Sequence, residues 1–173
     1  MIWFTSDLHY GHKAVIKLCD RPFKTVEEMN ETLMRNWNSM VAKNDTVYIL
    51  GDISHRCEIE EANNFISQLK GNKILIRGNH DKEYDALLFK EIFDYYELKG
   101  YASVSISLMH YPMLEWIHSR HGSLHLHGHQ HNKEAYNEDM HKQGIRRYDV
   151  GVDANQYCPV SLNHILEFFQ IEK

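Results

Sequence analysis

One recurring feature constrains this chain more than any other: short apolar or β-branched runs that each close on glycine or on a residue able to bind a metal. Residues 1–6, 46–50, 73–77, 104–109 and 123–127 read as strands on this pattern, with 147–152 as a sixth. The runs close on Ser6-Asp7-Leu8-His9, Gly51-Asp52, Gly78-Asn79-His80-Asp81, His110 and Gly128-His129-Gln130-His131. In open α/β sheets, the loops leaving the carboxyl ends of strands converge, so polar groups distant in sequence meet there. Strand first and ligand second therefore predicts one composite site.

Helical patterns fill the gaps. Over 25–41, Val26, Met29, Leu33, Trp37 and Met40 recur at three-to-four-residue spacing behind a Thr25 cap with Glu28 three residues on. A second helix fits 58–69, burying Ala62, Phe65, Ile66 and Leu69 before Gly71 stops it. A third is expected to begin after Asp81, and the last covers 162–169. Alternating strands and helices predict an α/β layered domain. The closer spacing of the later strands predicts antiparallel pairing or a second sheet packed on the first. The chain's 173 residues fit one domain, 1–173.

Histidine is in excess, at 13 of 173 residues. Asp7 and His9 are two apart and share a side if the extended geometry of the strand continues through them. His129 and His131 repeat the logic, although a turn after Gly128 could splay them toward two different ions. Gly51 and Gly128 suit a tight departure of the backbone from a strand. Carboxylate, imidazole and amide oxygen together favour Mn²⁺, Fe²⁺, Zn²⁺ or Ni²⁺ over Ca²⁺ or Mg²⁺. A structural zinc site closes on four ligands, whereas this chain offers seven candidates apart from His80, a surplus that suits two ions sharing a carboxylate.

A net charge of -5 argues against a surface built to grip duplex nucleic acid. Two divalent cations bring about four positive charges into one pocket, so a phosphorylated substrate is still attracted locally. The opening residues carry no basic segment, long apolar run or cleavage site, which leads us to expect a cytoplasmic protein without a membrane span. Cys19, Cys57 and Cys158 are odd in number and far apart, and read as reduced thiols.

The five motifs, in this order and over nearly the whole chain, resemble the calcineurin-like metallophosphoesterase superfamily. The run Ser6-Asp7-Leu8-His9-Tyr10-Gly11-His12 and the later Val150-Gly151-Val152-Asp153 are similar to its small single-domain bacterial and phage members. The resemblance implies a four-layer αββα sandwich with two mixed sheets and a metal site at the strand C-terminal ends. It implies that Asp7, His9 and His131 hold one metal, that Asn79, His110 and His129 hold the other, and that Asp52 bridges them. His80 is left facing the substrate as general acid, with Asp81 beside it to orient or charge-stabilise the imidazole. The cofactors implied are two divalent ions, Mn²⁺ foremost, with Fe, Zn or Ni as alternatives. A hydroxide bridging them is the expected nucleophile.

Arg56 is a candidate phosphate contact, because Gly51-Asp52-Ile53-Ser54-His55-Arg56 resembles the Gly-Asp-x-x-x-Arg arrangement of the phosphoprotein phosphatase branch. His55 and Cys57 depart from that branch, where aspartate and glycine are expected, and so disfavour a protein phosphatase. His12 reads equally as pocket lining or as the start of a helix. The expected substrate is a small phosphate ester, a phosphodiester or a nucleotide, with nucleic acid not favoured. A metal-binding scaffold without turnover and a nuclease on single-stranded ends are the alternatives.

Most other candidate residues have plainer readings. His118, His121, His125, His141 and His164 read as surface or hydrogen-bonded structural histidines, His127 likewise, and Asp153 as a turn residue. Tyr10, Tyr111 and Trp116 are the aromatics that could edge the pocket and stack on a planar leaving group.

Overall fold

The computed structural model describes residues 1–172. Strands β1 (Ile2–Thr5), β2 (Thr46–Ile49) and β3 (Asn72–Ile76) run parallel side by side. Their successive residues point to opposite faces. Trp3, Val47, Ile49 and Leu75 belong to one core, whereas Phe4, Tyr48, Leu50, Ile74 and Ile76 belong to the other. A strand buried on both faces cannot alternate apolar with polar, which is why these segments read as continuous apolar runs.

Helices α1 (Lys13–Leu18), α2 (Val26–Met40) and α3 (Ile59–Gln68) close the first core, with Met29, Leu33 and Trp37 of α2 and Ala62, Phe65 and Ile66 of α3 buried in it. Removing a Met or Leu side chain from water stabilises by about 1.5–3 kcal/mol, so α2 is held chiefly by this face. Its start matches the sequence reading: Thr25 Oγ1 accepts the Glu28 N–H at 3.2 Å. Glu28 in turn accepts the Lys24 N–H at 2.8 Å, one residue upstream of the position a standard capping box would use.

Two further strands complete this sheet, β4 (Glu91–Phe93) parallel beside β3 and β9 (Val160–Ser161) antiparallel against β1. The second sheet runs β5 (Tyr96–Leu98), β6 (Ile106–Leu108), β7 (Leu124–His127) and β8 (Arg147–Asp149), with the first pairing antiparallel and the rest parallel. Leu98, Ile106, Leu108, Leu124, Leu126 and Tyr148 face the first sheet across the second core. Helices α4 (Ala135–Lys142) and α5 (Leu162–Phe168) lie outside the strands, with Ile165 and Leu166 of α5 entering the second core. Two mixed sheets packed face to face between helices is the predicted α/β architecture.

The expected third helix is not there. After Asp81 the chain makes a single 3₁₀ turn, Ala86–Leu88, with Leu87 92 % exposed. Tyr84 and Phe89 are both pinned in the first core, and Tyr84 Oη is tied to Ser54 and Asp81, so this stretch is drawn out toward β4 instead of coiling. Among the described residues no helix is long and apolar enough to cross a membrane.

Candidate metal centre

The extended geometry does not continue past the strand ends, contrary to the premise that put Asp7 and His9 on one side. Asp7 (φ 57°), His9 (φ 52°), Asp52 (φ 55°), His129 (φ 72°) and His131 (φ 50°) all adopt the left-handed region. Aspartate and histidine tolerate it better than most residues, yet each such position costs of order 1–3 kcal/mol and persists only where its surroundings fix it. Here the loops clasp one another. Asp7 N–H donates to Gly51 O at 3.1 Å and His9 N–H to Asp52 O at 3.0 Å, while His129 N–H donates to Asp7 Oδ2 at 2.9 Å. Gly51 (φ 87°) permits the turn, and a Cβ on it would lie 2.6 Å from His110 Nδ1. A Cβ on Gly128 would overlap Ser6 Oγ and Asp7 Oδ2, so the loop carrying His129 and His131 approaches Asp7 as only glycine allows.

The result is two clusters. Potential ligand atoms of Asp7, His9 and His131 lie within 4.8 Å of one another, and those of Asp52, His110 and His129 do the same. The turn after Gly128 thus sends its two histidines to different groups. Asp52 Oδ2 joins the clusters, 3.5 Å from His9 Nε2 and 3.6 Å from His110 Nε2. Asn79 Oδ1 stands 3.1 Å from His110 Nε2. Asp7 Oδ1 and His9 Nε2 are buried without a hydrogen-bond partner, a costly state that a cation relieves.

Backbone and side-chain acceptors set the imidazole tautomers. His110 Nδ1–H donates to Leu50 O at 2.7 Å and His131 Nδ1–H to Asp153 Oδ2 at 2.8 Å, which turns each Nε2 toward its cluster. Asp153 is therefore more than the turn residue expected. Its carboxylate also takes a two-pronged bond from Arg21, Nε at 2.9 Å and Nη2 at 2.8 Å, and that guanidinium donates onward to Leu8 O at 3.1 Å and Asp7 O at 2.8 Å. Arg21 sits in a loop with no periodic signal, 132 positions from its partner, and nothing in the sequence marks it.

Charge follows from the same burial. Burial pushes the Asp7 carboxyl up to about 7, against the pull of His131 and His110. Burial, then His131 and Arg21, hold His9 far below the usual imidazole range. Burial also lowers His129. For His131 burial works downward but is outweighed by Asp153 and then Cys19, which lift it to about 10.

A sequence model described as calcineurin-like phosphoesterase matches residues 1–154. The chain belongs to the calcineurin-like phosphoesterase family. It is 36 % identical over 170 residues to an uncharacterized protein of Methanocaldococcus jannaschii, covering 98 % of this chain and 91 % of that one. It is 33 % identical over 184 residues to the gene 66 protein of Mycobacterium phage L5, covering 88 % of this chain and 86 % of the phage protein. A crystal structure of a protein of unknown function from Aquifex aeolicus superposes with a TM-score of 0.78 at 28 % identity, over 96 % of this chain and 98 % of that one. The family's chemistry is metal-dependent hydrolysis of phosphate esters, and the two clusters, together with a third group of Cys19, His131 and Asp153 that shares His131 with the first, are the groups among the described residues of this phosphoesterase that could hold a metal.

The remaining candidates distribute themselves around that centre. His80 is half-buried, its ring centroid 5.5 Å from that of His9, and its backbone N–H donates to Asp52 Oδ1 at 2.9 Å. The carboxylate of Asp81 points back into the loops, accepting N–H bonds from Gly78 at 2.7 Å, Ile53 at 2.9 Å and Asp52 at 3.0 Å. In the phosphoesterase it holds the Asp52 and Asn79 loops together. His12 is both an α1 start and a site neighbour, with its Nδ1 3.3 Å from His9 Nδ1. Arg56 is exposed beside His55. Tyr111 edges the centre, its ring 4.6 Å from His129, but Tyr10 stacks on Phe65 in the helical core and Trp116 packs on His125 outside the second sheet. His125 and His127 are structural, with both ring nitrogens of each engaged.

Proposed function

We propose that this phosphoesterase hydrolyses a small phosphodiester, with two divalent cations held by the two clusters. Asp7, His9 and His131 form one set, Asn79, His110 and His129 the other, and Asp52 is shared. The observation that carries the reading is the place of Asp52 Oδ2, 3.5 and 3.6 Å from histidines of opposite clusters. When bound, such a pair supplies hydroxide near neutral pH and neutralises the non-bridging phosphate oxygens. The mixed oxygen and nitrogen set favours Mn²⁺, with Fe, Zn or Ni able to replace it.

The chain's own residues position and protonate. His80 is half-buried with its ring centroid 5.5 Å from that of His9, and its ring nitrogen delivers a proton to the departing alkoxide oxygen. Asp81 acts through position, keeping the loops of Asp52 and His80 in register. Arg56 and His12 meet the anionic substrate, and Tyr111 stacks on a planar leaving group. The test measures metal content and hydrolysis on one sample, with bis-para-nitrophenyl phosphate against para-nitrophenyl phosphate and Mn²⁺, Ni²⁺, Zn²⁺ or Mg²⁺ added. About two metals per chain with diester turnover is the expected result. Bound metal without turnover on either compound replaces the reading with a catalytically silent scaffold.

A further inference from the structure

Three side chains meet on the Nδ1 edge of His131, the edge opposite the nitrogen turned toward the first cluster. Nδ1–H donates to Asp153 Oδ2 at 2.8 Å, and with Cys19 these groups bring ligand atoms within 4.8 Å of one another. Of the three groups that could hold a metal among the described residues, only this one contains sulfur. Its members are fixed from several sides. Cys19 closes α1, its N–H donating to Val15 O at 2.9 Å, while its own carbonyl accepts Lys133 Nζ, which ties it to the loop that carries His131 two residues earlier. Arg21 grips Asp153 through Nε to Oδ1 and Nη2 to Oδ2.

A cation has a defined place in this group. It would replace the hydrogen between His131 Nδ1 and Asp153 Oδ2, so that the two bonds from Arg21 to the carboxylate are kept. Tetrahedral ligands about 2.0–2.1 Å from an ion stand roughly 3.3–3.4 Å apart, so widening the 2.8 Å contact by about half an ångström admits it. The His131 side chain is 20 % exposed and Cys19 is half-buried, which leaves room for that movement and a path from solvent. The sulfur sets the choice of ion. A thiolate selects Zn²⁺, or its softer congener Cd²⁺, over Mn²⁺ and Mg²⁺, and three protein ligands leave the fourth position to water.

We propose that Cys19, Asp153 and His131 Nδ1 form a third metal site, selective for a thiophilic divalent ion, whose occupation takes His131 away from the first cluster. An imidazole that keeps one N–H has one lone pair to give, so a ring bound through Nδ1 does not also hold a cation through Nε2. The site itself stands on the three side chains, and its effect on the centre rests on the ligand reading above. A thiophilic ion at the third site is therefore an antagonist of the first cluster, binding outside it and removing one of its ligands.

The test titrates metal-stripped protein with Cd²⁺ and reads the ultraviolet charge-transfer absorption of the Cd²⁺–thiolate bond. In the wild type the band should saturate at about one thiolate per chain, persist in Cys158→Ser and vanish in Cys19→Ser. No band in the wild type, or a band unchanged in Cys19→Ser, overturns the site. A second measurement needs no variant: Cd²⁺ should slow alkylation of Cys19 by iodoacetamide about tenfold more than that of Cys57 and Cys158, read by peptide mass spectrometry, and equal slowing of all three also overturns it. For the effect on the centre, Mn²⁺-loaded protein is given Cd²⁺ and its remaining Mn²⁺ is measured by elemental analysis. The wild type should lose more Mn²⁺ than Cys19→Ser treated alike, and equal contents refute the antagonism. None of these readouts requires turnover, so a failure of the diesterase reading is seen separately, in the para-nitrophenyl assays.

Discussion

Arg21→Met removes a guanidinium that makes four hydrogen bonds to oxygen and one to Met29 Sδ at 3.3 Å. The wild-type guanidinium gives two N–H bonds to Asp153 and one each to the carbonyls of Leu8 and Asp7, and the side chains of both Arg21 and Asp153 are fully buried. Methionine fills most of the volume and replaces none of the bonds. Asp153 is left with His131 as its charged partner, and breaking a buried pair from one side costs about 3–5 kcal/mol because a charge stays behind unpaired. That is a fifth or more of the roughly 5–15 kcal/mol that holds a domain folded. Urea unfolding of metal-stripped protein at neutral pH measures it. The Arg21→Met, Asp153→Leu double variant should cost less than the two single changes added together, since it removes both charges. An Arg21→Met loss below about 1 kcal/mol would show that the pair does not hold these loops, and the reasoning would fall.

Three further outcomes are expected. Gly128→Ala pushes a Cβ into Ser6 Oγ and Asp7 Oδ2, so it should lower metal content in elemental analysis while overpacking costs about 1–3 kcal/mol in urea unfolding; full metal occupancy would contradict the close approach. His80→Ala should reduce diester turnover by about 10²–10⁴-fold with metal content unchanged, whereas Asp52→Ala should lose both together. Burial, then His127, lowers His125 from 6.5 to about 4, so its contribution is complete above the ordinary value and is lost as pH falls toward 4. Between pH 7 and 5 the wild type should lose about 2 kcal/mol that His125→Asn does not, read as the difference in urea midpoints, and equal losses would refute the assignment.

How much of the molecule the sequence made legible depends on which interactions are local. Strands β1 to β3 are buried on both faces, so their residues announce themselves as apolar runs, and the ligands stand out because each comes directly after such a run. The three-residue strands β4 and β5 and the two-residue β9 are too short to carry a period; they exist because a neighbouring strand offers an edge. The expected helix after Asp81 failed because Tyr84 and Phe89 are claimed by a core that forms between distant segments. Within the site, the grouping of Asp7, His9 and His131 apart from Asp52, His110 and His129 was implied only by resemblance, since it depends on left-handed turns at residues that do not require them. Arg21 was invisible for the complementary reason. Its oxygen partners are two backbone carbonyls and a carboxylate 132 positions away, and a carbonyl leaves no trace in residue type. The ligands of this centre are thus written in side chains, but the strained backbone that aims them is held by groups that one sequence does not reveal. Variants that probe the aiming, Arg21→Met and Gly128→Ala, therefore test the site independently of variants that remove a ligand.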